Sequence, residues 1–142
     1  MNEQKIDWKE CCGKRIAKSV MPDIDTVESL KKSSENKIKS SDELKMNETT
    51  SVSKFILAYD SLREILESLS LKNGYKIYNH ECYTAFLKEV IKQSNLGDEF
   101  DEIRKVRNAV NYYGKELSIE DSLNLISKTK KLREQILDLF KN

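Results

Sequence analysis

The stretch Arg104-Lys105-Val106-Arg107-Asn108-Ala109-Val110-Asn111-Tyr112-Tyr113-Gly114 holds the densest set of side chains able to do chemistry: two guanidiniums, two amides and two phenols. Phe100, Ile103, Val106, Val110 and Tyr113 recur there at three- and four-residue steps, which predicts a helix with one core-facing stripe, ended by Gly114. On a helical wheel with Ile103 at the origin, Arg107 falls at roughly 40°, inside the apolar arc. Asn111, Arg104 and Asn108 follow at roughly 80°, 100° and 140°, along its border. Tyr112 lies at roughly 180°, opposite the core, although the approach to Gly114 can redirect it.

A guanidinium keeps its charge at ordinary pH, so Arg107 must meet a carboxylate, carbonyls, a phosphate or a partner subunit. Glu64 or Glu67 on a neighbouring helix would make it an internal ion pair. Otherwise Arg107, with Arg104, Asn108, Asn111 and Tyr113, lines a cleft or dimer groove whose donors and stacking faces suit nucleic acid. Arg107 and Tyr112 are the candidate catalytic residues of such a site. His80, the single histidine, opens a different helix, and spacing leaves open whether it caps that helix or reaches Arg107.

The elements that must position these residues are helical. Val52, Phe55, Ile56, Tyr59, Leu62, Leu66 and Leu69 predict a core helix that ends near Asn73-Gly74. A third helix is expected over 79–93, stopping at Asn95 to Gly97, and the Arg107 helix then begins at about Asp98. The last helix starts at Ser118, with Asp121 completing a capping-box-like start, and runs through Leu125, Leu132, Ile136 and Phe140. Upstream, Asp25 followed by Glu28 suggests an N-cap for a polar helix over 26–45, anchored only by Val27, Leu30, Ile38 and Leu44 and packed loosely outside. The expected organisation is one domain: an N-terminal segment, 1–46, with that peripheral helix, and a bundle over 47–142. Short connections make it an all-α, antiparallel, up-and-down bundle of four to five helices.

Composition bounds the rest. The chain has 142 residues, four Gly, one Pro and a net charge of +1, so no global basic field drives nucleic-acid binding and any such contact is local. Lys128, Lys130, Lys131 and Arg133 in the last helix form either a solvated face or an extension of an RNA surface. The carboxylates of Asp98 to Glu102 read as helix-start charges facing water. No apolar run approaches the roughly 20 residues of a membrane span, and the polar start Met1 to Lys5 lacks a secretory core, so a cytoplasmic protein is expected. Cys11, Cys12 and Cys82 read as reduced thiols, because their count is odd and their spacing lacks the two ligand pairs of a zinc site. No cofactor or metal is expected.

Arg107-Asn108-Ala109-Val110-Asn111-Tyr112-Tyr113 resembles the signature of the HEPN superfamily. Ala58-Tyr59, Gly74-Tyr75 and His80 extend the likeness to small prokaryotic HEPN proteins over about residues 50–140. The resemblance implies a dimerising helical bundle that acts on RNA without metal, in many members as an endoribonuclease toxin paired with a minimal nucleotidyltransferase. Arg107 and Asn108 match the first half of the signature. Tyr112, Tyr113 and Gly114 stand where its histidine is expected, and a phenol is a poor base at neutral pH. The implied function is therefore an RNA- or nucleotide-binding homodimer with catalysis impaired. The alternatives are an active metal-independent endoribonuclease, with Tyr112 or His80 replacing the histidine, and a structural dimerisation bundle.

Overall fold

The computed structural model describes residues 5–141; Met1 to Gln4, most of the polar start, and Asn142 lie outside them. In chain order the elements are α1 (Trp8–Gly13), β1 (Ala17–Ser19), α2 (Ile24–Glu43), α3 (Ser51–Lys72), β2 (Tyr75–Ile77), α4 (His80–Ala85), α5 (Ser94–Tyr113) and α6 (Ile119–Asp138). A π-helical turn, Phe86–Val90, continues α4, and a 3-10 turn, Leu139–Lys141, continues α6. The fold is an all-α helical bundle, as the periodicity predicts. β1 and β2 form only an antiparallel clip, with Ala17 opposite Ile77 and Ser19 opposite Tyr75. Three-residue strands are too short for a period-two pattern to show in the sequence. Among the described residues no helix is long and apolar enough to cross a membrane.

α3 is the axis of the core. Phe55, Tyr59, Leu62, Ile65, Leu66 and Leu69 are buried along it, against α2 on one side and α6 on another. Each such side chain contributes about 1.5–3 kcal/mol of transfer free energy. The expectation that α2 packs loosely outside is overturned, because α2 and α3 form the most extensive helix pair. Serines replace the missing apolar anchors. Ser34 and Ser61 each donate from Oγ to the other's carbonyl at 2.7 Å, and Ser68 Oγ donates to Val27 O at 2.7 Å. Small side chains let two backbones approach closely, and their hydroxyls satisfy the polar atoms that this closeness buries. Asp23, rather than Asp25, caps α2, accepting from the Asp25 and Thr26 backbone N–H groups.

Two boundaries also differ from expectation. The helix over 79–93 ends early, after the π turn, where Lys92 adopts φ 67° and reverses the chain. α5 then starts at Ser94, so Gly97 lies inside it rather than ending anything. A Cβ at Gly97 would come within 2.4 Å of Lys88 Cγ and 3.1 Å of Thr84 O, so this glycine permits close contact between α4 and α5. Asp101, expected to face water, is buried beneath Arg104.

The expectation of three reduced thiols fails as well. Cys11 and Cys82 are joined by a disulfide with Cα atoms 6.0 Å apart, and Cys12 is the free, exposed cysteine. The pairing joins residues 71 apart in sequence, a link that spacing alone cannot reveal. The inference of a reducing compartment from unpaired cysteines loses its premise with it.

Candidate functional site

α3, α4 and α5 meet at one corner. Tyr59, fully buried in the middle of α3, stacks on Phe100 from the start of α5 with ring centroids 6.1 Å apart. A buried phenol needs a partner for its hydroxyl. Tyr59 finds it in His80 at the first position of α4, with Oη 2.8 Å from Nδ1. Burial raises the Tyr59 pKa well above the usual phenol value, against the lowering influence of Arg107 and Arg104. We assign the hydroxyl as the donor, since phenol is the stronger acid of the pair; the ring proton of His80 is then on Nε2. Burial first, then the positive charges of Arg107 and Arg63, lower the His80 pKa from 6.5 to about 4. His80 is a neutral imidazole at pH 7.

Arg107 covers the same tyrosine. Its guanidinium carbon lies 5.2 Å from the Tyr59 ring centroid and 5.9 Å from that of Tyr112. Nη1 donates to Asn108 Oδ1 at 3.4 Å, the far edge of hydrogen-bond range, and the buried Nε has no acceptor. Neither glutamate that could have neutralised it does so. Glu64 faces Lys37 at 2.6 Å, off the hydrogen-bond direction, and Glu67 pairs with Arg63 at 3.2 Å. Among the described residues no carboxylate forms an ion pair with Arg107. The internal ion pair is thus excluded, and the structure brings His80 to the Arg107 corner, which spacing had left open.

The other candidates separate. Arg104 is committed to Asp101, with Nη2 2.8 Å from Oδ1. Lys105 and Lys5 also meet that carboxylate, at 3.4 and 3.5 Å. Burial raises the Asp101 pKa, but the Arg104 hydrogen bond and charge, then Lys105 and Lys5, outweigh it and leave the group below the usual carboxylate value. Arg104, Asn108 and Tyr113 border a recess of about 370 Å³ with Lys5, Glu81 and Lys105. Asn111 is exposed, and Tyr113, expected in the apolar stripe, is 84% exposed. The stripe of α5 is buried only at Phe100 and Ile103; beyond them Val106 and Val110 are half-buried. Tyr112 is 71% exposed, as its place opposite the core predicts, and the long Arg107 side chain still comes within 5.9 Å of its ring; Gly114, with φ 65°, ends the helix.

The last helix presents no continuous basic face. Arg133 is buried, Lys130 pairs with Asp42 at 2.8 Å, and Lys128 and Lys131 share a recess with Glu99 and Glu102. A larger groove of about 900 Å³ runs between the starts of α3 and α6 and the end of α5, but its walls, such as Val52, Val110 and Leu117, gather no catalytic set. Tyr59 is a site residue that helical periodicity alone assigns to the core. A tyrosine within a leucine and isoleucine stripe signals a buried hydroxyl that must be partnered, and that partner is the histidine.

The corner can therefore offer a fixed cation with spare donors, an imidazole N–H and an exposed aromatic face. No family model, curated protein or solved structure matches the chain.

Proposed function

We propose that the chain is a HEPN-like module that binds single-stranded RNA or a nucleotide through Arg107, His80 and Tyr112. One observation carries this reading: Arg107 lies against the Tyr59 and Tyr112 rings with a buried, acceptor-free Nε and no carboxylate partner among the described residues. A phosphate can meet the outer edge of this half-buried guanidinium, and the exposed ring of Tyr112 gives a base a stacking face. In keeping with the HEPN resemblance, the module acts as a cytoplasmic homodimer beside a minimal nucleotidyltransferase, as in toxin-antitoxin pairs.

Binding without cleavage is favoured by the state of His80. An imidazole with a pKa of about 4 is unprotonated at pH 7 and so cannot serve as an acid, and it is a weak base for a ribose hydroxyl.

Fluorescence anisotropy with a labelled single-stranded RNA oligonucleotide tests the proposal. The wild-type chain binds, more weakly as salt rises, while Arg107→Ala loses about tenfold or more in affinity. Equal binding by the two proteins overturns it. Arg107-dependent cleavage of the RNA selects the endoribonuclease instead, and loss of a dimer on Arg107→Ala without any RNA binding selects the structural bundle.

A further inference from the structure

We propose that Cys11 and Cys82 form a two-electron redox lock, which fastens α1 and β1 to the first turn of α4 and on reduction releases them from the turn that carries His80. Such a lock is a property of the fold, whatever Arg107 binds.

The N-terminal segment is attached to one part of the molecule. β1 pairs with β2, and its ladder is extended by Val20 N–H donating to Gly74 O and Tyr78 N–H donating to Ile16 O, each at 2.8 Å. Trp8 packs edge-on to Tyr75, with centroids 5.1 Å apart, and lies 5.8 Å from Phe86. Its backbone N–H donates to Glu89 Oε2 at 2.6 Å. Lys5 reaches Asp98 and Asp101 at 3.7 and 3.5 Å. Only the disulfide among these contacts is covalent, and it enters α4 two residues after His80.

Without the bridge the segment is marginal. A six-residue helix is too short to stand alone, and so is a two-stranded sheet with three residues per strand. Both sulfur-bearing residues are fully buried, so exchange takes place when α1 opens locally. A dithiol reductant then attacks one sulfur to give a mixed disulfide, and its second thiol displaces the protein. The net reaction breaks the Cys11–Cys82 bond and forms two protein thiols while the dithiol is oxidised to its disulfide, with two electrons and two protons transferred. A disulfide oxidant such as glutathione disulfide reverses it.

The test uses the full chain, oxidised with glutathione disulfide and then treated with or without dithiothreitol. Alkylation after denaturation should label Cys12 alone in the oxidised protein and all three cysteines in the reduced one. Under native conditions reduction should shift the emission of Trp8, the single tryptophan, to the red. Amide exchange over 8–19 and 75–85 should accelerate about tenfold or more, with α3 and α6 still protected and the His80 ring signal shifted. Cys12→Ser should behave as wild type, and Cys11→Ser should resemble the reduced protein under both conditions. Failure of the bond to form overturns the proposal. So do unchanged Trp8 emission and exchange on reduction, or loss of protection in α3 and α6 along with the segment, since the bridge is then passive or a staple of the whole fold.

Discussion

Two arginines in this molecule meet opposite fates. Arg133 on α6 is only 3% exposed, and all of its nitrogens are engaged: Nε donates to Ser34 Oγ at 2.9 Å, Nη2 meets Glu35 at 3.1 Å and Nη1 meets Glu134 at 3.3 Å. Arg107 on α5 is half-buried, lies over aromatic rings and leaves Nε without an acceptor. The first is a structural cation that ties α6 to the serine-lined seam of α2 and α3. The second has no carboxylate partner among the described residues. A buried charge marks a site when its partners are missing, not simply when it is buried.

Breaking the Arg133 side should cost most. Arg133→Ala removes the packed stem and its hydrogen bond to Ser34, and should lower stability by about 3 kcal/mol, read as a shift in the urea midpoint with the slope unchanged. Gly97→Ala probes the contact that seats α5, and with it Arg107, against α4. The added methyl meets Thr84 O and Lys88, and should cost about 1–2 kcal/mol, because the Lys88 side chain can move but the backbone oxygen resists.

Arg107→Ala should change stability by less than about 0.5 kcal/mol, since the lost attraction to the Tyr59 ring is offset by removal of an unsatisfied Nε. A loss comparable to that of Arg133→Ala would erase the distinction between the two. A separate effect is one of pH. His80 is neutral in the folded chain down to about pH 4, whereas the unfolded chain takes up a proton near pH 6.5. The unfolded state therefore binds more protons between these values, and stability falls as pH is lowered through them. His80→Gln should flatten that part of the profile of urea midpoints against pH.

Much of this was legible in the sequence. The apolar repeat of α3, the Ser118 start of α6, the Gly114 stop and the anomaly at Arg107 all follow from helical period and capping chemistry. Other features were hidden because they depend on partners far away in the chain. Ser34, Ser61 and Ser68 lie outside every apolar repeat, and they gain a role only where two helices approach closely. Gly97 reads as a terminator, and its role as a contact with Thr84 belongs to tertiary packing. Asp101 reads as a solvated helix-start charge, and only the convergence of Arg104, Lys105 and Lys5 makes its burial tolerable. The Cys11–Cys82 pairing and the Tyr59–His80 hydrogen bond likewise join segments that no local pattern connects.

We propose that Arg107 serves a ligand and Arg133 serves the fold. The most direct test of this division measures RNA affinity and melting temperature together for the wild-type chain and Arg107→Ala. The expected result is an affinity lowered by about tenfold or more at an unchanged melting temperature. Equal affinities, or a melting temperature that falls as far as that of Arg133→Ala, would contradict it.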